Sequence, residues 1–366
     1  MQGFRNFISQ EVELSPETNL IFGANGSGKS NLLEAIHYIC TAKSFRHASD
    51  ESIKNWDAEF FRLEADGYLD DTTTKIEISW KPGEKKRLKI QGVKHTKLAN
   101  LYEHFKVVSF SPDDVELVYG SPSVRRQFLD ISISQLRPGY ISVLWELKKV
   151  LAQRNALLRE LGEAFDSVGA SPDEDLLDAW DDKLAGLAVL IHDARKEFVQ
   201  DVSRRAMEYH SKLSGVTCDF HIEYKASPDL KDYSVEQFRG KLQSRRSREL
   251  LLRQSLYGPH RDDLQFMVSE AECRNFASRG QVKTVVLAIK LAVFDRIHEL
   301  CGEAPILLLD EMYSDLDRTR LDSITALLGG LSQVVVTTSK LEEIKDLSYF
   351  RNSISIDTGL ISKYTP

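Results

Sequence analysis

The spacing of apolar residues changes several times along the chain, and each change predicts a different kind of element. Leu20, Ile21 and Phe22 form a short run that stops at Gly23. Beyond the glycines, Leu32, Leu33, Ile36 and Cys40 recur at helical spacing, which predicts a strand, a glycine-rich loop and a helix in succession. From 57 to 110 the pattern alternates in pieces, as in Thr74-Lys75-Ile76-Glu77-Ile78-Ser79-Trp80 and Leu88-Lys89-Ile90, with Pro82-Gly83 as a turn between them. Antiparallel strands are expected there. From about 122 to 250 helical spacing takes over: Leu144, Leu147, Leu151 and Leu158 share one face, and Leu184, Leu187, Leu190 and Ile191 another. A loop around Gly169 to Pro172 and a strand at Thr217 to Tyr224 interrupt it. Ile306 to Leu309 and Val334 to Val336 are unbroken apolar runs, as expected of parallel strands covered on both faces.

The expected architecture is an α/β core split in sequence, residues 1–120 with 255–366, and a mainly helical lobe, 121–254, inserted between its halves. A chain of 366 residues is long enough to bury a core in both parts. No heptad pattern persists, so no long coiled coil is expected.

Composition narrows the setting. The four cysteines, Cys40, Cys218, Cys273 and Cys301, lack C-x-x-C spacing, which argues against a disulfide framework and against a zinc site. No apolar run approaches the roughly 18 to 20 residues that cross a bilayer. A soluble, cytoplasmic protein is expected. Net charge is −7, so any contact with nucleic acid must come from a local basic patch. Lys148, Lys149 and Arg154 form one candidate and Arg245, Arg246 and Arg248 another, although solvated helix faces are the simpler reading of both.

The first chemical signal is Gly23-Ala24-Asn25-Gly26-Ser27-Gly28-Lys29-Ser30, followed by Asn31. Every fixed position of a phosphate-binding loop is filled. Glycines let successive backbone N–H groups point at phosphates, Lys29 would reach the β and γ oxygens of ATP, and the Ser30 hydroxyl would ligate Mg²⁺. The second is Ile306-Leu307-Leu308-Leu309-Asp310-Glu311, where an apolar strand ends in two carboxylates. Asp310 is expected in the Mg²⁺ shell and Glu311 beside the attacking water, so Lys29, Asp310 and Glu311 form the expected catalytic group.

The third is Ser278-Arg279-Gly280-Gln281, standing before a helix with Val282, Val286, Ile289, Val293 and Ile297 on its apolar face. A serine before a helix usually means only a cap. Here it lies 32 residues before Asp310, the order and distance at which ABC-type ATPases carry their signature loop. Ser278, Gly280 and Gln281 are therefore candidates for the γ-phosphate of a second molecule. Ser314-Asp315-Leu316-Asp317 looks like the loop that couples two nucleotide sites, and Thr337-Thr338 stands where many ABC proteins have a switch histidine.

Stretches outside these motifs are more specific: Lys43-Ser44-Phe45-Arg46, Phe110-Ser111-Pro112-Asp113-Asp114, Arg125-Arg126-Gln127-Phe128-Leu129-Asp130, and Tyr257-Gly258-Pro259-His260-Arg261-Asp262-Asp263. Together with the motifs they resemble the RecF family of bacterial DNA replication and repair proteins, along nearly the whole chain. That family is related to the heads of structural-maintenance-of-chromosomes ATPases. The resemblance implies an α/β ABC-type P-loop ATPase head with a mixed sheet, and an ATP-dependent homodimer with ATP and Mg²⁺ sandwiched between copies. It also implies slow, switch-like hydrolysis that times release of DNA at gaps and single-strand/double-strand junctions, with RecR and RecO as partners in loading recombinase. By the same analogy Arg5 and Arg46 are expected near nucleotide phosphates, Asp113 in a loop that senses Mg²⁺, and the run around His260 either at nucleotide or holding the helical lobe. Two other classes compete. A nuclease-coupled ATPase would need an acid-rich domain for which too few residues follow Asp317, and a non-catalytic ATP-dependent scaffold would not need Glu311.

Overall fold

The computed structural model describes residues 1–69, 72–168, 175–215, 219–311, 333–344 and 347–364. They divide into two compact units, one of Met1–Val115, Arg205–Cys218 and Ala277–Pro366, the other of Glu116–Arg204 and Asp219–Phe276.

The first unit is built on two six-stranded sheets. One runs in the order Leu360–Tyr364, Asn352–Asp357, Thr18–Phe22, Val334–Thr338, Ile306–Leu309, Val107–Phe110, and all its pairings are parallel except that of the first two strands. The apolar runs at 306 and 334 occupy interior places, and their residues are almost all buried. The other sheet is antiparallel, in the order Phe7–Ser9, Gln2–Phe4, Phe61–Leu69, Thr72–Trp80, Arg87–Ile90, Val93–His95. Its alternation puts Leu63, Ile76, Ile78, Leu88 and Ile90 on the buried face. One cluster joins these to Leu32, Leu33, Tyr38 and Ile39 of the helix Lys29–Thr41 and to Ile21, Leu308 and Val335 of the parallel sheet. The helix that follows the glycines is thereby fixed by apolar packing on both sides.

The second unit holds the helices Pro122–Leu136, Pro138–Val168 and Val235–Leu252, most of Asp175–Ser214, and a three-stranded antiparallel sheet, Ala271–Glu272, Asp263–Val268, Phe220–Lys225. The borders depart from the expected 121–254 in three places, the first being that the second unit already begins at Glu116. Residues 255–276 join the second unit because Asp263–Val268 pairs along its whole length with Phe220–Lys225. Residues 205–218 join the first, where Arg205 pairs with Glu299 and the Tyr209 hydroxyl donates to Asp295 at 2.6 Å. The predicted strand at Thr217 to Tyr224 is described as Phe220–Lys225, and the predicted loop at Gly169 to Pro172 lies outside the described residues. Among the described residues no helix is long and apolar enough to cross a membrane.

Candidate nucleotide site

Thr18–Phe22 delivers the chain to Gly23, and the loop returns to the helix Lys29–Thr41 through Gly28. Two glycines are required by space as well as conformation. A Cβ on Gly23 would meet the Ile356 carbonyl oxygen at 2.2 Å, and one on Gly28, whose φ is +119°, would meet the Asn6 amide at 2.6 Å. Asn6 itself holds the loop: its Nδ2 donates to the Ser27 carbonyl at 2.9 Å and its Oδ1 accepts from Asn31 at 2.8 Å. Sequence reasoning passed over Asn6, and only its place beside the Arg5 candidate hinted at it.

The helix that begins at Lys29 has no side-chain cap, so its first N–H groups are left for an anion. Lys29 is almost fully buried, and its Nζ donates to the Gly23 and Ala24 carbonyls at 2.9 and 3.0 Å and pairs with Glu311 Oε1 at 3.0 Å. Ser27 Oγ is buried without a hydrogen-bond partner. Lys29 and Glu311 line a cleft of about 300 Å³ together with Asn25, Gly26, Gly28, Ser30, Asn31 and Arg46.

Ser30 Oγ donates to Asp310 Oδ1 at 2.8 Å. Asp310 extends the strand Ile306–Leu309, its N–H bonded to the Phe110 carbonyl at 2.8 Å. Burial raises the Asp310 pKa, against hydrogen bonds from Thr337 and Ser30 that lower it. A hydroxyl and a carboxylate side by side suit a hard cation that takes its remaining ligands from water and phosphate, so the residues fit Mg²⁺. No cluster of three or more His, Cys, Asp or Glu side chains offers an all-protein cage among the described residues.

The remaining candidates separate. Arg46 lies at the cleft, Nη1 donating to Asn31 Oδ1 at 3.1 Å and Nη2 standing 3.9 Å from Asp310. Arg5 does not reach the cleft: it grips buried Glu34 through Nε and Nη2, both at 2.8 Å, and donates from Nη1 to the Ser52 carbonyl at 3.0 Å. The expectation that it meets phosphate is corrected to a structural role, since Arg5 is held against Glu34 and Ser52 and is not part of the cleft lining. Asp113 is exposed on a 3-10 turn and bonds to nothing among the described residues. Its neighbour Asp114 is tied in, accepting from the Ser111 N–H at 2.6 Å and pairing with Lys290 at 2.8 Å. Ser278 caps the helix Arg279–Cys301, accepting from Gln281 N–H at 3.3 Å while Gln281 Oε1 accepts from Ser278 N–H at 2.8 Å. Ser278 and Gln281 are exposed, and with Gly280 they stand outside the cleft lining of their own chain. Ser314 to Asp317 lie outside the described residues.

Two cationic candidates for nucleic acid are corrected as well. Arg154 is fully buried between Asp181 and Glu249, and Arg246 is buried against Asp178 and Asp181. Their acidic partners lie mostly on other helices, so nothing local showed that these residues face inward. His260, in the second unit, bonds to the Ser255 carbonyl at 3.3 Å, and burial lowers its pKa to about 4.

A phosphate loop, a strand-end carboxylate pair and a separate serine-capped helix on a two-sheet unit are an ABC-type head. The model of the RecF/RecN/SMC N terminal domain family matches residues 1–357. A DNA replication and repair protein RecF of Heliobacterium modesticaldum is 35% identical over 98% of this chain and 96% of its own length. The chain belongs to the RecF family. The RecF of Listeria innocua is 34% identical over 99% of this chain and 98% of its own. A solved structure of the recombination mediator protein RecF with ATP, in the RecFOR pathway, is 30% identical with a TM-score of 0.91, covering all of this chain and 96% of that one. The Smc head domain of Pyrococcus furiosus, 17% identical over 99% of this chain and 94% of its own with a TM-score of 0.53, shares the fold. This RecF family member is thus an ATPase of the RecF and SMC type with the α/β head fold.

Proposed function

We propose that the chain is an ATP-operated DNA clamp, in which two copies close on ATP and Mg²⁺ and hydrolysis times the release of DNA. The observation that carries this is a half-complete site. Lys29, Ser30 and Glu311 line one cleft, with Asp310 bonded to Ser30 behind it, while the serine-capped start of the signature helix is exposed outside it. A triphosphate held by the loop of one copy leaves its γ end open to Ser278, Gly280 and Gln281 of another.

In this reading Gly23 to Asn31 wrap the phosphates, and Lys29 moves from its carbonyl partners to the β and γ oxygens. Ser30 and Asp310 would hold Mg²⁺, which supplies charge neutralisation between the phosphates. Glu311 orients the attacking water, and Arg46 adds positive charge at the mouth.

The partner is assigned from the relatives, which are named as replication and repair proteins, and from charge. Residues 81–97 carry seven Lys and Arg against the single acid Glu84, in a chain of net charge −7. Lys94, on the strand Val93–His95, and Lys85 and Lys97, in the connections around it and Arg87–Ile90, are exposed and make no ion pair among the described residues. This suits a phosphate backbone, whereas Lys86 and Lys89 are tied to Asp50 and Glu77. Gapped DNA and work alongside RecR and RecO complete the proposal.

Sedimentation of the protein with Mg²⁺, with and without ATP, followed by binding to gapped and duplex DNA, tests it. Doubling of mass with ATP and ATP-dependent retention of gapped DNA are expected. A monomer at every nucleotide concentration would overturn it, and a dimer indifferent to Glu311→Gln would favour the scaffold.

A further inference from the structure

The position of the missing switch histidine is filled by hydroxyls, and they face the two carboxylates in an ordered way. The strand Val334–Thr338 runs parallel to Ile306–Leu309 with Val336 opposite Leu309, so the residues just past that pair stand beside Asp310 and Glu311. Thr337 is fully buried. Its hydroxyl donates to Asp310 Oδ1 at 2.7 Å and accepts the Glu311 backbone N–H at 2.9 Å. Two residues on, Ser339 reaches Glu311 Oε2 twice, from its N–H at 3.2 Å and its hydroxyl at 3.1 Å. Thr338, between them, turns the other way and bonds to the Lys340 backbone. Alternate residues of an extended segment share a side, which is why 337 and 339 act together and 338 does not.

The Glu311 backbone needs such a hold. Its φ is +47°, left-handed for a residue with a Cβ, a conformation that costs on the order of 1 to 3 kcal/mol and persists only when neighbours over-determine it. The Thr337 hydroxyl is a specific neighbour of that kind, since a valine of the same shape would fill the space and hold neither the N–H nor Asp310.

We infer that Thr337 and Ser339 are positioning residues for ATP hydrolysis. Thr337 locks the Asp310-Glu311 turn, and Ser339 fixes one oxygen of the Glu311 carboxylate. The other oxygen is paired with Lys29 at 3.0 Å. The inference rests on the reading of Glu311 as the residue that orients water. It places the function of the absent imidazole on the residues flanking Thr338, not on Thr338 itself.

The test compares Thr337→Val, Thr337→Ser, Ser339→Ala and Glu311→Gln with the unaltered protein. It reads kcat and KM for ATP, the affinity for a non-hydrolysable ATP analogue, and the midpoint of thermal unfolding. Thr337→Val and Ser339→Ala should each lower kcat about tenfold or more, equivalent to about 1.4 kcal/mol of barrier, with analogue affinity within about threefold. Thr337→Ser, which keeps the hydroxyl, should restore kcat to within about threefold. Should Thr337→Val fail to fold, Ser339→Ala decides alone, because it removes one hydroxyl from a partly exposed loop. Ser339→Ala at the unaltered kcat, or Thr337→Ser as slow as a folded Thr337→Val, overturns the inference. Glu311→Gln separates the two levels. If it still hydrolyses at the full rate, the reading of Glu311 fails and the inference with it. If it is inactive while the hydroxyl variants are not, the inference alone fails.

Discussion

Each unit buries a cation, Arg154 in the second and Lys29 in the first, and the two are treated in opposite ways. In the second unit Arg154 is fully buried and saturated, with Nε on Asp181 at 2.7 Å, Nη1 on the Ser255 hydroxyl at 2.8 Å and Nη2 on Glu249 at 2.6 Å. Asp181 takes a second guanidinium from Arg246 at 2.8 Å, and Glu249 accepts the Leu256 N–H at 2.7 Å. Arg195 is enclosed in the same way by Asp262, Asp130 and the Pro259 carbonyl. In the first unit, by contrast, buried Lys29 rests on two neutral carbonyls and one carboxylate, beside an uncapped helix start and the unpartnered Ser27 hydroxyl. A closed network locks a fold, and a network with unmet donors around a cleft awaits a ligand. Burial of charge alone does not mark a functional site; what sets Lys29 apart is that it lines an open cleft at an uncapped helix start.

The largest effect that would break this contrast lies in the closed network. Arg154→Ala strands buried Glu249 without its cation and leaves Asp181 with Arg246 alone, and should destabilise by about 3 to 5 kcal/mol, read by chemical denaturation. An unchanged midpoint would show the network to be ornamental. Glu311→Gln should leave stability nearly unchanged and slow hydrolysis about 100- to 1000-fold, read by phosphate release, with the ATP-bound state accumulating.

Lys29→Ala removes charge-assisted bonds to phosphate worth about 1.5 to 3 kcal/mol, so nucleotide affinity should fall about 10- to 100-fold in a titration. Stability without nucleotide should barely fall. A large loss there would put Lys29 in the same class as Arg154. A smaller effect sharpens the contrast through pH. His37 is buried against Phe45 with neither ring nitrogen bonded, and burial, followed by Lys290 and His47, lowers its pKa to about 3. The folded chain therefore refuses a proton that the unfolded chain accepts. Stability is complete above the ordinary histidine range, near 6.5, and is lost as pH falls from there towards about 3, at up to about 1.4 kcal/mol per pH unit. His37→Leu should shrink the loss between pH 7 and pH 5 by about 2 kcal/mol, measured by denaturation at both values. His260, lowered in the same direction, keeps its own share.

Much of the nucleotide cleft was legible because its residues are neighbours in sequence. The glycine loop needs only local spacing, and the strand before Asp310 declares itself as an apolar run. The cap at Ser278 is likewise a local signal. Residues whose partners lie far along the chain were misread. Arg5 and Glu34 are 29 residues apart, and an acid set among Leu33, Ala35 and Ile36 was the available sign that a cation would be needed inside. Arg154 and Arg246 read as surface charges because Asp181 and Glu249 come together with them only after folding. Asp113 and Asp114 could not be told apart, since the choice depends on where Lys290 arrives.

By itself the sequence determined the order of strand, loop and helix, the phosphate-binding chemistry and the family, since each depends on residue types at short, fixed separations. Tertiary structure alone decided which charges face inward, where the units divide, and that Thr337 and Ser339 stand against Asp310 and Glu311. The reason is physical: strand pairing and the burial of charge join residues dozens to hundreds of positions apart, and no local pattern carries that information.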